Sequence, residues 1–564
     1  MNQYTQTIVI GLDVGMTYTG IVVARISPGQ DIQFNIVSKW PERTSLKVPS
    51  TISYPEGSEP LWGFQAYAFR PTYAWFKPLL DPTTPYNDFL EMASFAEIAD
   101  LRLVTLAPGK EPGAMVGDYL RQVYRFVLST LRPGIPNPHE TLFQFCFSTP
   151  VVWEENAQLA MRAAIREGGF GTEFPGNVKL SSESEASAAY FLSREGSALK
   201  DSATYRVYSR EPVLRLTQIT KSCGLRCGAI TVEMGFLDLM LKRFEKDFKR
   251  VFRKEGGLAS QFMHDFTLIK EGFTGANVVY RLSLDLDVVD SEFYDAQEME
   301  VLLSLEDLRK IFLPVINQSL DLMGRQLNEA DQECRQHGGG RATHLVITGG
   351  FANSRYAKAH YTDFAAKRGV ELVIPSDPAI ATAYGSALSG VYDVTYTRKR
   401  CARTYGLQYD DLMLTKDGDK ERGMTERTKG RKNGGVAPIT WLFRKDTMYE
   451  ESFDYVRRFE LLHSSDQALI KAIAIFSIDQ KKPTTSREKV DRLDIRPIDH
   501  VNLNLSLIPL DCHPHLTDND DGKTYYQIFV DVKATLCLKK GELNIECRIN
   551  GALCGDSQVY TVWS

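Results

Sequence analysis

The sequence predicts an α/β domain over residues 1–395, followed by a smaller β-rich domain. Three observations predict this order. Strand-like apolar segments alternate with helix-like segments through about the first 390 residues, which is typical of α/β folds. A charged, glycine-bearing segment then interrupts the alternation. Short β-type runs with turn signals between them fill the remainder of the chain.

The composition is that of an ordinary globular protein. Apolar residues make up 43% of the 564 residues, charged residues make up 24%, and the formal net charge is −5. So small a charge gives no general attraction to nucleic acid or to an anionic membrane. No apolar run reaches the ~20 residues of a membrane-spanning helix, and nine cysteines fit reduced thiols. We therefore expect a cytoplasmic protein, with a nuclear location as the alternative, that has no nucleic-acid or membrane partner.

The opening stretch, Thr7–Ile26, contains two apolar runs on either side of a short turn. The runs predict two strands. A glycine-bearing turn such as that at Gly15 can point backbone N–H groups inward and hold an anion. The hydroxyls of Thr17 and Thr19 would add donors, and the Asp13 carboxylate could hold a hydrated Mg²⁺. A plain hairpin is the alternative interpretation.

Apolar spacing and helix-ending signals predict the elements that follow. In order, they are a helix over 117–131, a strand over 142–150, a helix that ends at Gly168, a helix that begins near Ser182, and helices over 237–252 and 305–334. Two segments then repeat the plan of strand, turn and helix. They are "HLVITGGFANSR" and "LVIPSDPAIATAYGSALSG".

Six motifs occur in one order along the chain: "IGLDVGMTYTGIVV", "WFKPLLD", "SESEASAAY", "LIKEGFTG", "VITGGFANSR" and "PAIATAYGSAL". This series resembles the actin/hexokinase/heat-shock ATPase superfamily, and most closely a distant, lid-lacking member of the heat-shock protein 70 family. The resemblance implies an actin-like ATPase domain over 1–395, in which two βββαβα-type subdomains surround a nucleotide cleft. Residues 396–435 would be a charged linker. Residues 436–564 would resemble the family's substrate-binding β-sandwich.

The resemblance also implies site residues and a cofactor, which is ATP or ADP with Mg²⁺. Lys77 would be the catalytic lysine, and Glu183 would lie on the metal side of the site. Asp13 would be the residue closest to the metal. The residues expected to bind the nucleotide are Asp13, Gly15, Thr17, Tyr18, Lys270, Thr274, Gly349, Gly350 and Arg355.

Simpler interpretations stand beside these assignments. Lys77 follows Trp75 and Phe76, and a surface lysine whose stem covers apolar neighbours would have the same sequence context. Glu183 near a helix start would also favour the helix dipole. The chain departs from the family at Met16, where a threonine is usual, and at Ala379, where the heat-shock proteins carry an aspartate.

One part of the family's pattern is missing. A second phosphate hairpin, with an Asp-x-Gly-Gly-Gly-Thr turn, should follow the helix that begins near Ser182, and the chain lacks it near residues 199–205. Because phosphoryl transfer depends on positioning and electrostatics, we expect hydrolysis to be impaired or absent and nucleotide affinity to be reduced. A natural loss and a segment skipped in a gene model or splice form are the two explanations.

The sequence therefore predicts an ATP-binding, chaperone-like protein of the heat-shock protein 70 family. Its expected partners are an adenine nucleotide and unfolded or extended polypeptide segments. The first alternative is a pseudo-ATPase that acts as a binding or scaffold protein through its C-terminal β-domain. The second is a small-molecule kinase of the same superfamily.

Overall fold

A computed structural model describes the chain from residue 6 to residue 561. The description leaves out 70, 82–100, 102–105, 136–139, 151–152, 154, 173–175, 195–204, 210–213, 221–227, 256, 337–339, 393, 409–411, 415–438, 452, 482–495, 518–521 and 539–540. The fold is mixed α/β with several sheets. It has two compact units: Met1–Leu214 with Ser222–Val394, and Arg215–Lys221 with Thr395–Ser564.

The strands before residue 394 are short apart from those of the first sheet. They are β1 (Gln6–Val14), β2 (Tyr18–Ile26), β3 (Gln33–Ile36), β4 (Lys39–Trp40), β5 (Arg43–Thr44), β6 (Val48–Pro49), β7 (Thr51–Ser53), β8 (Leu61–Trp62), β9 (Thr72–Ala74), β10 (Thr141–Thr149), β11 (Gly176–Ser182), β12 (Tyr205–Ser209), β13 (Leu214–Gln218), β14 (Tyr280–Ser283), β15 (Tyr294–Asp295), β16 (Glu300–Leu303), β17 (His344–Val346) and β18 (Glu371–Val373).

The predicted helices are confirmed, and several begin earlier than expected. They are α1 (Pro112–Leu131), α2 (Glu155–Glu167), α3 (Glu183–Arg194), α4 (Ala229–Glu255), α5 (Gln261–Gly272), α6 (Leu305–Gln336), α7 (Arg355–Arg368) and α8 (Ala381–Val391). The start of α3 is a capping box, because the Glu185 amide donates to Ser182 Oγ and the Ser182 amide donates to Glu185 Oε2. In α4 the helical backbone is interrupted at Glu245.

The first sheet has the order β11–β10–β1–β2–β3, and β6 also pairs with β2. β1 runs parallel to β10, and β10 runs parallel to β11, whereas β1, β2 and β3 are antiparallel. In the register of β1 and β10, Leu12 lies opposite Phe147. The carboxyl ends of these two parallel strands therefore bring Asp13 next to Ser148.

Helix α8 packs directly on β1 and on α3 through glycine. A Cβ added at Gly11 of β1 would lie 2.2 Å from the Ala383 carbonyl oxygen. A Cβ added at Gly385 of α8 would lie 1.6 Å from the Ala186 carbonyl oxygen of α3. Only glycine allows backbones to approach this closely, which explains the small residues that the sequence places in α8.

The two strand–turn–helix segments near residue 350 contribute two strands that pair in parallel. β17 pairs in parallel with β18, α7 connects them, and α8 follows. Nearby, α4 and α5 are joined by an aromatic stack in which the rings of Phe236 and Phe266 lie 3.7 Å apart. Together with α6 and the small sheet β14–β16–β15, these two helices bury a large apolar cluster of this unit.

The second unit consists mainly of antiparallel strands. They are β13, β19 (Val394–Arg400), β20 (Thr404–Gln408), β21 (Leu412–Leu414), β22 (Thr440–Phe443), β23 (Met448–Glu450), β24 (Asp454–Ser464), β25 (Ile470–Ile478), β26 (Arg496–Asn504), β27 (His515–Thr517), β28 (Thr524–Cys537), β29 (Glu542–Ile549) and β30 (Ala552–Tyr560). The sheets β22–β20–β25–β26 and β21–β24–β28–β29–β30 share one buried cluster. They therefore pack face to face as a sandwich. The hairpin β28–β29 is the one that its sequence predicts.

Two expectations about the segment boundaries are wrong. Residues 396–414 are not linker, because β19, β20 and β21 occupy most of this range in the second unit. The strand β13 lies within the predicted domain 1–395, but it pairs with β19 and belongs to the second unit. The Gln218 side chain accepts a hydrogen bond from the Arg400 amide at 3.2 Å. Alternation of apolar residues predicts a strand, but it does not specify the sheet in which that strand pairs.

Two sequence features lie outside the described residues. They are the gap at 199–204 and the charged segment 415–435. Across the described residues, no helix combines the length and the apolar character that crossing a bilayer requires.

The α3–α8 crossing can be tested with one substitution. Gly385→Ala places a methyl group on the Ala186 carbonyl oxygen, so we expect the free energy of unfolding to fall by about 3 kcal/mol. Gly113→Ala in α1 is the control, because a Cβ there meets no atom within 4 Å, and it should be neutral or stabilising by up to about 1 kcal/mol. Urea unfolding measures both. Equal stability of the two variants would contradict the close packing of α8 on α3 at Gly385.

Candidate functional site

The turn between β1 and β2 is closed by hydrogen bonds on both of its sides. The Gly15 amide donates to the Tyr18 carbonyl oxygen at 3.1 Å. Ser50 Oγ donates to the Gly15 carbonyl oxygen at 2.8 Å, and the Ser50 amide donates to the Thr17 carbonyl oxygen at 2.8 Å. The Thr17 hydroxyl lines an open cleft, and it has no hydrogen-bond partner within the described residues. It is therefore available to a ligand.

Thr19 has a different role from the one expected of it. It is fully buried, its Oγ accepts a hydrogen bond from the Tyr119 hydroxyl at 2.8 Å, and it lies 2.9 Å from Ser50 Oγ. Tyr119, Thr19, Ser50 and Gly15 thus form a chain of hydrogen bonds that fixes the turn from beneath. The expectation that the Thr19 hydroxyl would donate to an anion is wrong, because strand alternation points this side chain into the core.

Met16 replaces a potential hydroxyl donor with an apolar contact. Its partly buried side chain packs against the apolar cluster that contains Trp75 and Val232. The turn therefore has one fewer polar side chain for a ligand. In exchange, it is anchored to this apolar cluster.

Asp13 lies at the end of β1 and is buried, with 7% of its surface exposed. Its Oδ2 accepts a hydrogen bond from Lys47 Nζ at 2.9 Å, and its Oδ1 accepts one from Ser148 Oγ at 3.2 Å. Burial acts to raise the pKa of Asp13. The charges of Lys47 and Lys77 and the two hydrogen bonds outweigh burial, so they hold that pKa below its ordinary value.

The two catalytic candidates contact each other. Lys77 Nζ lies 3.1 Å from Glu183 Oε1, although the two residues are 106 positions apart. Lys77 is 5% exposed, and its ammonium group lies 5.1 Å from the centre of the Trp153 ring. Lys77 is therefore not a surface lysine that covers apolar neighbours, because its ammonium group is buried in an ion pair.

Helix α3 connects this group to the glycine turn after β17. Glu183 and Ser187 are one helical turn apart in α3 and therefore lie on the same side. Ser187 Oγ accepts a hydrogen bond from Thr348 Oγ1 at 3.2 Å and lies 3.2 Å from Thr382 Oγ1. Since Thr348 directly precedes Gly349, both predicted parts of the site are tied to one helix.

The glycine turn itself has room beside it. Gly349 has φ 88°, a conformation that favours glycine, and its amide donates to the Pro378 carbonyl oxygen at 2.7 Å. A Cβ added at Gly349 or Gly350 would meet no atom within 4 Å. The requirement for glycine at 349 is thus conformational, and the space beside the turn is open.

Thr274 and Arg355 are both exposed and lie on adjoining elements. The end of α5 meets the start of α7, because the rings of Phe273 and Tyr356 lie 4.6 Å apart and Gly275 packs against Tyr356. The structure therefore brings these candidates to the neighbourhood of Gly350. Lys270 is not available to a ligand in the same way, because its buried ammonium group is paired with the Glu233 carboxylate.

A cleft of about 360 Å³ adjoins the opening turn. Thr17, Tyr18 and Trp75 line one wall, and Glu233 and His264 line the other. The site candidates thus fall into three groups. Asp13, Lys77 and Glu183 lie near the ends of β1 and α3, the second group surrounds Gly349, and Tyr18 faces the cleft.

Sequence reasoning missed two members of the first group, Lys47 and Ser148. A signal for Ser148 was present, since it ends a strand whose parallel neighbour ends at Asp13. Lys47 had no such signal, because its segment approaches Asp13 only through the pairing of β6 with β2. Within the described residues, no group of three or more His, Cys, Asp or Glu side chains is arranged to hold a metal ion.

A scan against models of protein families finds no match to this chain, and a search of curated proteins finds none either. The resemblance to heat-shock protein 70 therefore stays a prediction from its motifs. The geometry described above is the independent information on the site.

The lowered pKa of Asp13 gives a prediction about acid stability. A carboxyl group whose pKa is lowered by folding stabilises the protein above its ordinary value of 3.8, and that contribution is lost as the pH falls through the folded-state pKa. Asp13→Asn should therefore lose less stability than the unaltered protein between pH 5 and pH 3. Urea unfolding across this range, which flanks the ordinary carboxyl pKa of about 4, measures the difference.

Lys47→Met provides the reciprocal variant. It leaves Asp13 buried without its partner at 2.9 Å, so the pKa of Asp13 should rise. The variant should be less stable than the unaltered protein at pH 5, and the difference should narrow toward pH 3, because less of the contribution of the ionised carboxylate remains to be lost. If both variants follow the acid curve of the unaltered protein, Asp13 is not the group that the lysines stabilise.

Proposed function

We propose that this chain is an ATP-binding, chaperone-like protein of the heat-shock protein 70 family whose ATP hydrolysis is impaired or absent. The observation that supports the proposal is the ion pair between Lys77 and Glu183 beside Asp13. Three sequence segments that resemble separate family motifs supply these residues. A chance resemblance gives no reason for the three side chains to be neighbours.

The charges of this group suit a phosphate chain with Mg²⁺. Lys47 and Lys77 now neutralise Asp13 and Glu183, respectively. Phosphate oxygens would compete for the two ammonium groups, and the two released carboxylates would then face the hydrated cation that accompanies the nucleotide. The open space beside Gly349 and Gly350 would receive the nucleoside, with Thr274 and Arg355 at its edge.

The topology supports the same family at a finer level. With the short strands β4 to β9 set aside, the order β1–β2–β3–α1–β10–α2–β11 matches one βββαβα-type unit with a further strand. β17–α7–β18–α8 would be the last part of a second unit. On this proposal the second phosphate hairpin and its strand are what the chain lacks. Removing a single oxyanion donor elsewhere costs about 2.7–4 kcal/mol of activation free energy, so loss of a whole hairpin should suppress turnover.

The second unit favours a polypeptide partner, and with it the alternative of a binding or scaffold protein. Leu469 and Ile470 at the start of β25 and Leu507 after β26 are 41%, 59% and 59% exposed. The Leu505 amide donates to the Leu469 carbonyl oxygen at 2.8 Å, which brings the two segments together. Exposed apolar residues grouped in this way are typical of interaction sites.

Calorimetric titration with ATP and Mg²⁺ tests the proposal. We expect binding without phosphate release, and Lys77→Met should weaken binding about tenfold to a hundredfold because it removes a charge-assisted contact. Lys110→Met is the matched control. Lys110 also pairs with a carboxylate, that of Asp118 at 2.8 Å, and also lies 5.1 Å from an aromatic ring, that of Tyr54.

Three results would contradict this function. If ATP with Mg²⁺ gives no heat of binding, nucleotide binding is ruled out and the scaffold alternative is favoured. Rapid phosphate release would show that the missing hairpin is dispensable. Equal losses in the Lys77 and Lys110 variants would show that binding does not involve the group around Asp13.

A further inference from the structure

The cleft beside the opening turn contains polar groups that the proposed nucleotide site does not use. Its inner part, of about 360 Å³, continues into a mouth of about 250 Å³. Arg43, Phe64, Tyr67, Ser260 and His264 line both parts. Lys47, Lys77, Asp13 and Glu183 line neither. The cleft is therefore chemically distinct from the group around Asp13, although Thr17 and Tyr18, which are expected to bind the nucleotide, also line its inner part.

Arg43 is a cation without a partner. Within the described residues its guanidinium has no hydrogen bond and no ion pair, and its central carbon lies 5.4 Å from the centre of the Phe64 ring. The ring surface orients the guanidinium without occupying its N–H groups. An arginine held in this way presents paired donors to an oxyanion.

The tyrosines of the cleft are hydrogen-bond donors. Burial and the Glu233 carboxylate raise the pKa of Tyr18 to about 12. Burial, Tyr18 and Glu233 also raise the pKa of Tyr67. Both hydroxyls therefore remain protonated at neutral pH. Neither hydroxyl has a hydrogen-bond partner within the part of the chain that the structure describes. Two carboxylates line the cleft and its mouth. Glu233 is neutralised by Lys270, and Glu42 lies at the mouth.

The wall of the cleft holds strained backbone and flat side chains. Trp75 is 2% exposed and has φ 58°, which is unusual for a residue with a bulky side chain. Such strain persists where the surroundings fix it, and it is concentrated at ligand sites. Trp75 and Phe64 offer apolar ring surface between the donors. Among the residues that the structure describes, the cleft thus combines apolar ring surface with a cation that has no ion pair and with tyrosine hydroxyls that have no hydrogen-bond partner.

We propose that this cleft binds a small organic phosphate monoester, with the phosphate at Arg43, Tyr67 and His264 and an apolar or planar body against Trp75 and Phe64. The three groups can supply more donors than the two oxygens of a carboxylate need. The volume suits a small molecule. The inference shares the lining residues Thr17 and Tyr18 with the nucleotide proposal but places the phosphate on other residues.

Phenyl phosphate is the probe, titrated into the full-length protein with detection by phosphorus NMR and calorimetry. We expect binding that weakens at least about tenfold in Arg43→Gln and in Tyr67→Phe. Arg368→Gln is the matched control, because Arg368 also lies over a phenylalanine, at 5.5 Å from the Phe364 ring, and should leave binding unchanged.

Each competing result has a separate readout. Benzoate that binds as tightly as phenyl phosphate would overturn the phosphate class, and inorganic phosphate that binds as tightly would overturn the apolar contact. Loss of phenyl phosphate binding in Lys77→Met, with binding retained in Arg43→Gln, would locate the phosphate at the group around Asp13 and overturn the proposal. Urea unfolding of each variant confirms that it is folded, and a parallel ATP titration reports separately on the nucleotide site.

Discussion

The close packing of α8 on β1 and α3 is the constraint on which the first unit depends. It requires glycine at both contacts, Gly11 and Gly385. It brings the start of α3, which carries Glu183, near the end of β1, which carries Asp13. It also brings Thr382 of α8 to Ser187, and through Ser187 to Thr348. The contact between Ser187, Thr382 and Thr348 and the approach of Glu183 to the end of β1 follow from this three-element contact.

Inside that framework, the polar groups around Asp13 balance their charges. A buried carboxylate without a counter-charge would be costly, and Lys47 supplies that counter-charge to Asp13 as Lys77 does to Glu183. The balance explains how the protein maintains the buried charges of Asp13 and Lys77. It also means that a ligand must displace existing partners, which reduces the net free energy of binding.

The sequence predicts local structure in this chain well and long-range pairing less well. The helices, the opening strands and the hairpin β28–β29 follow from apolar periodicity and turn residues. Lys47 could not be predicted beside Asp13, because their contact arises from the lateral pairing of β6 with β2. The expectation that Thr19 would donate to an anion is wrong, because strand alternation buries its hydroxyl although the residue lies near a glycine turn. The sheet to which β13 belongs was misjudged for a similar reason, as strand propensity carries no information about the partner.

The pairing of β13 with β19 has a consequence for how the chain folds. Thr217 and Thr397 form a side-chain hydrogen bond across 180 positions. The second unit is therefore completed by a segment that is synthesised long before the rest of it. Contacts of such sequence separation form slowly, because the loop between them must be closed first. Residues 395–564 made alone would lack the strand that covers β19, so truncation at this boundary would expose a strand edge prone to self-association.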